Sequence, residues 1–322
     1  MTQFGYKLMT EEHGPKALVE NTVLAEAAGF DFASISDHFH PWLEAQGHAP
    51  FAWSVLGAIA HATSTIGITT GLTCPIIRYH PAIIAQAAAT VAQLSDDRFT
   101  LAVGAGERLN EHVTGARWPS IPERHAMLAE AIDIFRLLWQ GGVHTHVGQY
   151  FTLDHAQLYD VPARPIPVVV GVSGPHSIGL ARSKADGIMA TEPKPDLVKS
   201  YLAGGQSAPC YSEVALAYAP TVEEGQRLAH ERFRFSALGW AVNSELPTVA
   251  GFEAATKSIT PEALGKKISA GPDVGVHVEA IRKYVEAGFD HLALIGIGPD
   301  QAGFARFFEK ELRPALQQGG LC

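Results

Sequence analysis

The feature that most constrains the fold of this chain is a repeated alternation between short apolar runs and longer amphipathic segments. The short runs are rich in β-branched and aromatic residues, as is typical of buried strands. Eight runs are strand candidates: Phe4–Leu8, Phe30–Ser36, Ile66–Leu72, Phe99–Gly104, Pro167–Val172, Gly187–Thr191, Glu213–Tyr218 and His291–Ile297. Repeated β-α units place their strands in one parallel sheet, and eight of them favour a closed barrel. We therefore predict an α/β fold with a single (β/α)8 TIM barrel.

Helical periodicity fills most of the intervals between these strands. Several of the segments begin with proline, which suits the first turn of a helix because its missing N–H is not needed there. The helix candidates include Pro15–Ala28, Ala52–Ala62, Pro81–Leu94, Pro122–Trp139, Pro175–Ala185, Val222–Arg234 and Val276–Ala287. Residues 141–165, with a hairpin-like GQYFTL pattern, and residues 236–261, with Trp240, depart from the repeat. We predict that both are insertions in one domain spanning residues 1–322.

Composition excludes several classes of function. The chain has 322 residues, of which 47% are hydrophobic, and a formal net charge of −9. Nonspecific nucleic-acid binding needs a basic surface, so we expect no nucleic-acid partner. No apolar run reaches the ~18 residues of a membrane span, and the N-terminus lacks the features of a secretory signal. The cysteines are widely spaced without a CxxC pair. We expect a cytoplasmic protein that acts on a small molecule.

Polar and titratable residues follow the predicted strands at their carboxyl ends, where TIM barrels carry their active sites. Glu11 follows the first strand, SDHFHPW with Asp37, His38 and Trp42 follows the second, and GAGERLNEH with Glu107 follows the fourth. The stretch GVSGPHS follows the fifth strand and opens a helix, where backbone N–H groups can bind an anion. An ordinary turn that needs glycine explains GVSGPHS equally well.

The stretch SDHFHPW leaves a metal site, a catalytic loop and a structural turn open on the residues alone. His38, His40 and Asp37 could belong to a metal site, but only Glu107 is available as a further ligand. A histidine with its ordinary pKa near ~6.5 exchanges protons at neutral pH, and Glu107 could be the partner of His38. Trp42 could line a pocket or fill the core. The acid–base interpretation needs fewer assumptions, and we predict no metal.

Four stretches together resemble the luciferase-like barrel oxidoreductases: SDHFHPW, GHAPFAW, RYHPAIIAQAAAT and GAGERLNEH. The resemblance is to the branch that uses the deazaflavin coenzyme F420 and is typified by glucose-6-phosphate dehydrogenase. It implies a homodimeric dehydrogenase that transfers a hydride between a hydroxylated substrate, either an alcohol or a sugar phosphate, and carbon C5 of the deazaflavin. Related barrels bind FMN, so an FMN-dependent monooxygenase or reductase is the alternative.

The resemblance also implies roles for individual residues. His38 corresponds to the base that accepts the alcohol proton, Trp42 to a residue that stabilises the reacting centre, and Glu107 to a proton partner of the deazaflavin. Gly71-Leu72 corresponds to a non-proline cis peptide that supports the ring. The implied cofactor contacts are Asp37, Gly71, Leu72, Thr73, Cys74, Asn110, Val172, Ser173, Gly174, Pro175 and His176, and the implied substrate contacts are Glu11, Trp42, Lys194 and Lys267.

The implied phosphate clamp is incomplete. Lys194 and Lys267 correspond to two cations that the phosphosugar enzymes place around the sugar phosphate, whereas the third position holds Ala254. Loss of one charged hydrogen bond to a phosphate costs about 1.5–3 kcal/mol of affinity. A sugar phosphate and an uncharged alcohol therefore both remain candidate substrates. A catalytically silent flavin-binding protein and a metal-dependent barrel hydrolase are the alternatives from other classes.

Overall fold

Parallel strands close into a barrel, as predicted. The computed structural model describes residues 1–205 and 209–322. The strands in these ranges are β1 (Gln3–Leu8), β2 (Phe32–Ile35), β3 (Gly67–Thr70), β4 (Phe99–Val103), β5 (Val143–Val147), β6 (Thr152–Gln157), β7 (Val168–Gly171), β8 (Gly187–Ala190), β9 (Cys210–Tyr218), β10 (Ser269–Gly271) and β11 (His291–Gly296). The barrel runs β1-β2-β3-β4-β7-β8-β9-β11, and β11 pairs in parallel with β1 to close it. The predicted (β/α)8 TIM barrel is confirmed.

Every predicted strand is present, with small differences at the ends. The largest difference is at β9, which begins at Cys210 rather than Glu213 because Cys210 and Tyr211 pair with Ile188 and Met189 of β8. The strand β10 was not predicted. It contains only Ser269–Gly271, too short for a periodic pattern, and it lies in parallel beside the last residues of β9.

Helices cover the outside of the barrel. They are α1 (Pro15–Ala27), α2 (Ala52–Ala62), α3 (Pro81–Leu94), α4 (Arg108–Glu111), α5 (Ile121–Leu138), α6 (Pro175–Lys184), α7 (Pro195–Leu202), α8 (Val222–Phe233), α9 (Trp240–Asn243), α10 (Val249–Thr256), α11 (Pro261–Gly265), α12 (Val274–Glu286), α13 (Gln301–Phe307) and α14 (Arg313–Gln318). The predicted bounds of α2 and α3 match the structure. In α3, the buried residues Ile84, Ala85, Ala88 and Ala92 follow helical spacing, so this face packs on the strands. No helix in the described ranges has the length and apolarity needed to cross a membrane.

The two segments that interrupt the repeat take different forms. In the first, β5 and β6 pair as an antiparallel hairpin, and their sheet is separate from the barrel sheet. The second contains α9 and α10 and packs over the carboxyl end of the barrel. Phe252 of α10 joins Phe235, Trp42 and Leu109 in one buried apolar cluster. The second segment therefore forms an apolar wall beside the loops that follow β2 and β4.

The barrel interior is arranged in layers because alternate residues of each strand point inward. The lower layer is mostly apolar and contains Phe32, Ala102, Val169, Met189, Tyr211 and Ala293. Above it lies a polar layer formed by Lys7 of β1, Ser34 of β2 and Glu213 of β9. The loops that follow the strands lie above this polar layer.

Candidate active site

The imidazole of His38 lies between two carboxylates at the carboxyl end of the barrel. Its Nε2 is 2.8 Å from Glu107 Oε1. Its Nδ1 is 3.1 Å from Glu11 Oε1, an ion-pair contact rather than a directed hydrogen bond. Ser36 Oγ donates to Glu11 Oε2 at 2.6 Å and fixes that carboxylate. The structure thus brings together three predicted site residues that come from the loops after β1, β2 and β4.

The two carboxylates determine the protonation state of His38. Burial by itself would lower the pKa of this histidine, but the negative charges of Glu11 and Glu107 outweigh burial and raise the pKa from 6.5 to about 9. Burial by itself would raise the pKa of Glu107, but the positive charge on His38 and the hydrogen bonds from His38 and Asn110 outweigh burial and lower this pKa. At neutral pH His38 is therefore already protonated. The ordinary histidine pKa assumed from the sequence is wrong for this position.

Trp42 lies against His38 and the second inserted segment. The Trp42 and His38 rings meet edge to face, with centroids 5.0 Å apart. The other side of the indole stacks on Phe235 at 4.8 Å, and Phe252 meets it edge-on at 5.1 Å. The backbone N–H of Trp42 donates to Gln46 Oε1 at 2.8 Å. Trp42 is therefore held between the His38 imidazole and the apolar wall.

Asp37 is fully engaged by neighbouring donors. Thr73 Oγ1 donates to its Oδ2 at 2.9 Å, and Tyr79 OH donates to its Oδ1 at 2.9 Å. Arg78 Nη2 donates to the Asp37 carbonyl at 2.6 Å and lies 3.2 Å from Oδ1. The side chain of Asp37 has no exposed surface. Asp37 and Thr73 therefore fasten the loop after β2 to the segment after β3.

Sequence reasoning missed Arg78 and Tyr79, which complete this arrangement. Arg78 also receives support from Glu111, whose Oε2 accepts from the Arg78 backbone N–H at 2.8 Å. The guanidinium lies 4.5 Å from the centre of the Tyr79 ring. Both residues fall in the stretch RYHPAIIAQAAAT. The local sequence around Arg78 and Tyr79 does not indicate a role in the site, because their partner, Asp37, lies on a loop far away in sequence.

Asn110 and His40 connect the loops after β2 and β4. Asn110 Oδ1 accepts from the backbone N–H groups of Phe39 at 2.8 Å and His40 at 3.0 Å. Asn110 Nδ2 donates to Glu107 Oε1 at 3.0 Å. His40 Nδ1 lies 3.1 Å from the Leu109 carbonyl oxygen, its acceptor. His38 and His40 thus serve different partners and do not converge as metal ligands.

A non-proline cis peptide joins Gly71 and Leu72 after β3, as predicted. The side chain of Leu72 packs against the lower layer of the barrel. A Cβ atom on Gly104 would lie 3.0 Å from Leu72 Cδ1, and a Cβ on Gly171 would lie closer still. Glycine at both positions therefore makes room for Leu72.

Cys74 follows this segment as a buried thiol. A Cβ atom on Gly106 would contact its Sγ at 2.5 Å, so Gly106 allows the loop after β4 to approach it. Burial and the nearby Glu111 carboxylate raise the pKa of Cys74 well above its usual value. Cys74 is therefore a neutral packing group in the free protein and no nucleophile.

The turn after β7 leads into α6. Ser177 Oγ accepts from the backbone N–H groups of Ser173 at 3.0 Å and Gly174 at 3.2 Å, so two predicted anion donors are already occupied. Val172 donates its N–H to Met189 O at 2.8 Å. Pro175, the first residue of α6, has no N–H, which suits the first turn of a helix because its N–H groups have no intrahelical acceptors. A Cβ on Gly174 would meet only open space.

The predicted substrate lysines do not join the His38 cluster. Lys194, at the start of α7, pairs with Glu192 two residues earlier, and its side chain is 57% exposed. Lys267 is exposed, and its ammonium makes no ion pair within residues 1–205 and 209–322. Ala254, the third position of the implied clamp, lies in α10. Lys194, Lys267 and Ala254 therefore do not form an ion-pair cluster with one another in the described residues.

Comparisons with known proteins show the family to which the chain is similar. The chain matches the family model of the luciferase-like monooxygenases over residues 1–291. It is 35% identical to the F420-dependent glucose-6-phosphate dehydrogenase of Tsukamurella paurometabola, with 99% of each chain aligned. It is 36% identical to the enzyme of the same name from Microbacterium testaceum, with 98% of each chain aligned.

Solved structures give a similar result. An F420-dependent secondary alcohol dehydrogenase, in complex with an F420-acetone adduct, superposes with a TM-score of 0.90 at 29% identity and covers 98% of this chain and 99% of its own. The F420-dependent tetrahydromethanopterin reductase of Methanopyrus kandleri superposes with a TM-score of 0.77 at 20% identity, covering 98% of this chain and 99% of its own. At that identity the second match supports the fold alone.

Proposed function

This chain belongs to the luciferase-like monooxygenase family, and we propose that it is a coenzyme F420-dependent dehydrogenase of that family. The reaction is the transfer of a hydride between carbon C5 of the deazaflavin and a hydroxylated substrate, an alcohol or a sugar phosphate. The observation that carries the proposal is the Glu11–His38–Glu107 cluster, which holds an exchangeable proton at the carboxyl end of the barrel. The full-length similarity to F420-dependent enzymes supports the choice of cofactor.

The residues around the cluster fit a deazaflavin. The backbone of residues 71–74 can lie against the ring, because the side chain of Leu72 packs against the lower layer of the barrel. The open space at Gly174 and the positive end of the α6 helix dipole suit an anionic tail. We assign the ring to the segment 71–74 and the tail to the turn 172–176. When bound, the deazaflavin supplies the carbon that accepts or donates the hydride.

His38 carries the proton that is exchanged with the substrate oxygen. In alcohol oxidation the hydroxyl proton passes to His38 as the carbon loses a hydride, and in carbonyl reduction His38 returns it. Because the pKa of His38 is about 9, the free protein holds this proton at neutral pH and is prepared for carbonyl reduction. Oxidation requires His38 to release the proton first. Glu11 and Glu107 stabilise the imidazolium, and Trp42 limits access of water to it.

The substrate is a small hydroxylated molecule or its carbonyl form. Similarity to the glucose-6-phosphate dehydrogenases favours a sugar phosphate, whereas the secondary alcohol dehydrogenase favours an uncharged alcohol. Lys194 is neutralised by Glu192, and Lys267 is exposed, so neither supports a buried phosphate. The carboxylates of Glu11 and Glu107 repel anions near the reacting centre. These features favour an uncharged alcohol.

We also infer a single catalytic domain over residues 1–322 that acts as a homodimer in the cytoplasm. Phe51 beside α2 and Ile83 in α3 expose more than half of their side-chain surface, as residues of a dimer interface do in the free chain. Sedimentation of the purified protein tests the dimer. A monomer at micromolar concentration would contradict it.

Parallel titration of the apo-protein with F420 and FMN tests the cofactor. We expect saturable binding of F420, followed by its reduction or oxidation when alcohols, ketones and phosphosugars are supplied one at a time. Tight binding of FMN with no affinity for F420 would contradict the proposal. Oxygen consumption with reduced FMN would then identify a monooxygenase of the same family.

A further inference from the structure

A buried ion pair lies inside the barrel directly beneath the segment after β3. Lys7 of β1 pairs with Glu213 of β9, and Lys7 Nζ also donates to the Gly71 carbonyl at 2.6 Å. Lys7 is only 4% exposed. Ser34, the residue opposite Lys7 on β2, is fully buried, and its hydroxyl has no hydrogen-bond partner within the described chain. None of these groups belongs to the His38 cluster.

Stability alone explains this pair poorly. A buried ion pair loses the hydration of both charges, and well-packed apolar side chains of similar volume often stabilise a core as much or more. The layer directly below shows that this barrel can be filled with apolar side chains such as Phe32 and Met189. The polar layer therefore requires a reason connected with the groups it contacts. The contact that leads towards the active site is the hydrogen bond to Gly71 O.

The segment after β3 rests closely on this polar layer. A Cβ atom on Gly71 would lie 2.8 Å from Lys7 Nζ and 3.3 Å from Glu213 Oε1, and it would overlap Ser34 Oγ. Only glycine fits between the layer and the backbone. Two residues later the backbone is fixed on its other side, where Thr73 N donates to Ala102 O at 3.0 Å. Lys7 thus fixes the first carbonyl of residues 71–74, and the β4 backbone fixes their middle.

We propose that Lys7 is a positioning residue for the cofactor. Its ammonium, oriented by Glu213, donates a hydrogen bond to the Gly71 carbonyl. This bond fixes the backbone of residues 71–74 in the conformation that binds the deazaflavin ring. Lys7 acts through this backbone and does not contact the ring itself. The inference rests on the proposed function, in which residues 71–74 hold the cofactor.

The double variant K7M/E213Q tests the proposal without leaving an unpaired charge. Methionine keeps most of the lysine volume, and glutamine keeps the shape of glutamate. We expect the dissociation constant for F420, measured by titration of the purified apo-protein, to rise about tenfold to hundredfold, as for loss of a charged hydrogen bond. The KM for substrate at saturating F420 should stay within about twofold, because the Glu11–His38–Glu107 cluster is untouched.

Two further variants separate positioning from general stability. K184M/D133N removes a lysine–carboxylate pair on the outer helices, where the two groups are 2.6 Å apart, and should leave F420 affinity unchanged. K7R keeps a donor for Gly71 O and should recover part of the lost affinity. Thermal unfolding of each variant, followed by circular dichroism, checks that the protein titrated is folded.

Parental affinity for F420 in folded K7M/E213Q would overturn the proposal. Equal rises in the F420 dissociation constant and in substrate KM would also overturn it, because they would indicate a general distortion of the barrel. Failure of the proposed function can be distinguished from failure of this inference, because the parent protein itself would then bind no F420. If K7M/E213Q does not fold, K7M alone is used, because it removes the donor to Gly71 O, and F420 affinity equal to that of the parent overturns the proposal.

Discussion

The two halves of the barrel rim differ in how the site residues predicted from the sequence are partnered. In the loops after β2, β3 and β4, Asp37 accepts from three side chains and Asn110 bridges two loops and Glu107. In the loops after β8 and β9, Lys194 pairs with a near neighbour in sequence and Lys267 is exposed. The first half is rigid before any ligand binds, as preorganised catalysis requires. We propose that the second half sets substrate choice.

The largest effect should come from His38 in the rigid half. Replacing it with alanine removes the group that exchanges the substrate proton, and general acid–base catalysis contributes about 10²–10⁴-fold in rate. We expect His38→Ala to lower kcat by about a thousandfold, measured from the deazaflavin absorbance at saturating F420. Affinity for F420 should change little, because His38 does not hold residues 71–74.

A matched control is His155→Ala, since His155 lies exposed at the hairpin. This variant should keep parental turnover. Unchanged turnover in His38→Ala would instead show that another group exchanges the substrate proton. The assignment of the proton transfer to the first half of the rim would then be wrong.

A substitution of Asp37 should show how much the hydrogen bonds of the rigid half contribute to the free energy of unfolding. Asp37→Asn replaces a buried acceptor of several hydrogen bonds with an amide that presents a donor to Arg78 or Thr73. We expect a loss of about 2–4 kcal/mol in the free energy of unfolding, measured by urea denaturation. Asp154→Asn, at an exposed position, should change it by less than about 0.5 kcal/mol. Equal stability of both variants would contradict the role of Asp37.

The pH dependence of stability should report the charge on His38. Its pKa is about 9 in the folded protein against 6.5 for the ordinary group, so its contribution is fully present below about 6.5 and is lost as pH rises through about 9. That difference corresponds to at most about 3 kcal/mol. The difference in unfolding free energy between parent and His38→Gln should therefore shrink from pH 6 to pH 9.5. A constant difference would mean that His38 is neutral.

The fold and the cluster could be predicted because their signals are local. Eight apolar runs identified the strands, and the positions directly after them located Glu11, His38 and Glu107. The loops of a parallel barrel meet at one end, so sequence order alone placed these residues together. The pKa of His38 could not be predicted, because it depends on two carboxylates at about 3 Å that only the three-dimensional structure brings close.

The supporting residues were missed for the same reason. Arg78, Tyr79 and Lys7 act on groups far away in sequence, and nothing in their own neighbourhoods marks them. A lysine inside a strand more often lies at the surface. At GVSGPHS the sequence placed the turn correctly but could not reveal that Ser177 occupies two of its N–H groups. Local patterns find the reacting groups, whereas the groups that orient them are found only from contacts.

The smallest effect should come from the half of the rim that carries Lys194 and Lys267, and it distinguishes the two substrate classes. Lys194→Ala and Lys267→Ala each remove an exposed charge that has no bond to the His38 cluster. With an uncharged secondary alcohol, KM should change by less than about twofold, because exposed charges contribute little. A sugar phosphate held by these lysines would instead lose about tenfold or more in kcat/KM for each substitution. Kinetics of both variants on an alcohol and on a phosphosugar therefore decide whether this half of the rim binds the phosphate of a substrate or accepts only uncharged substrates.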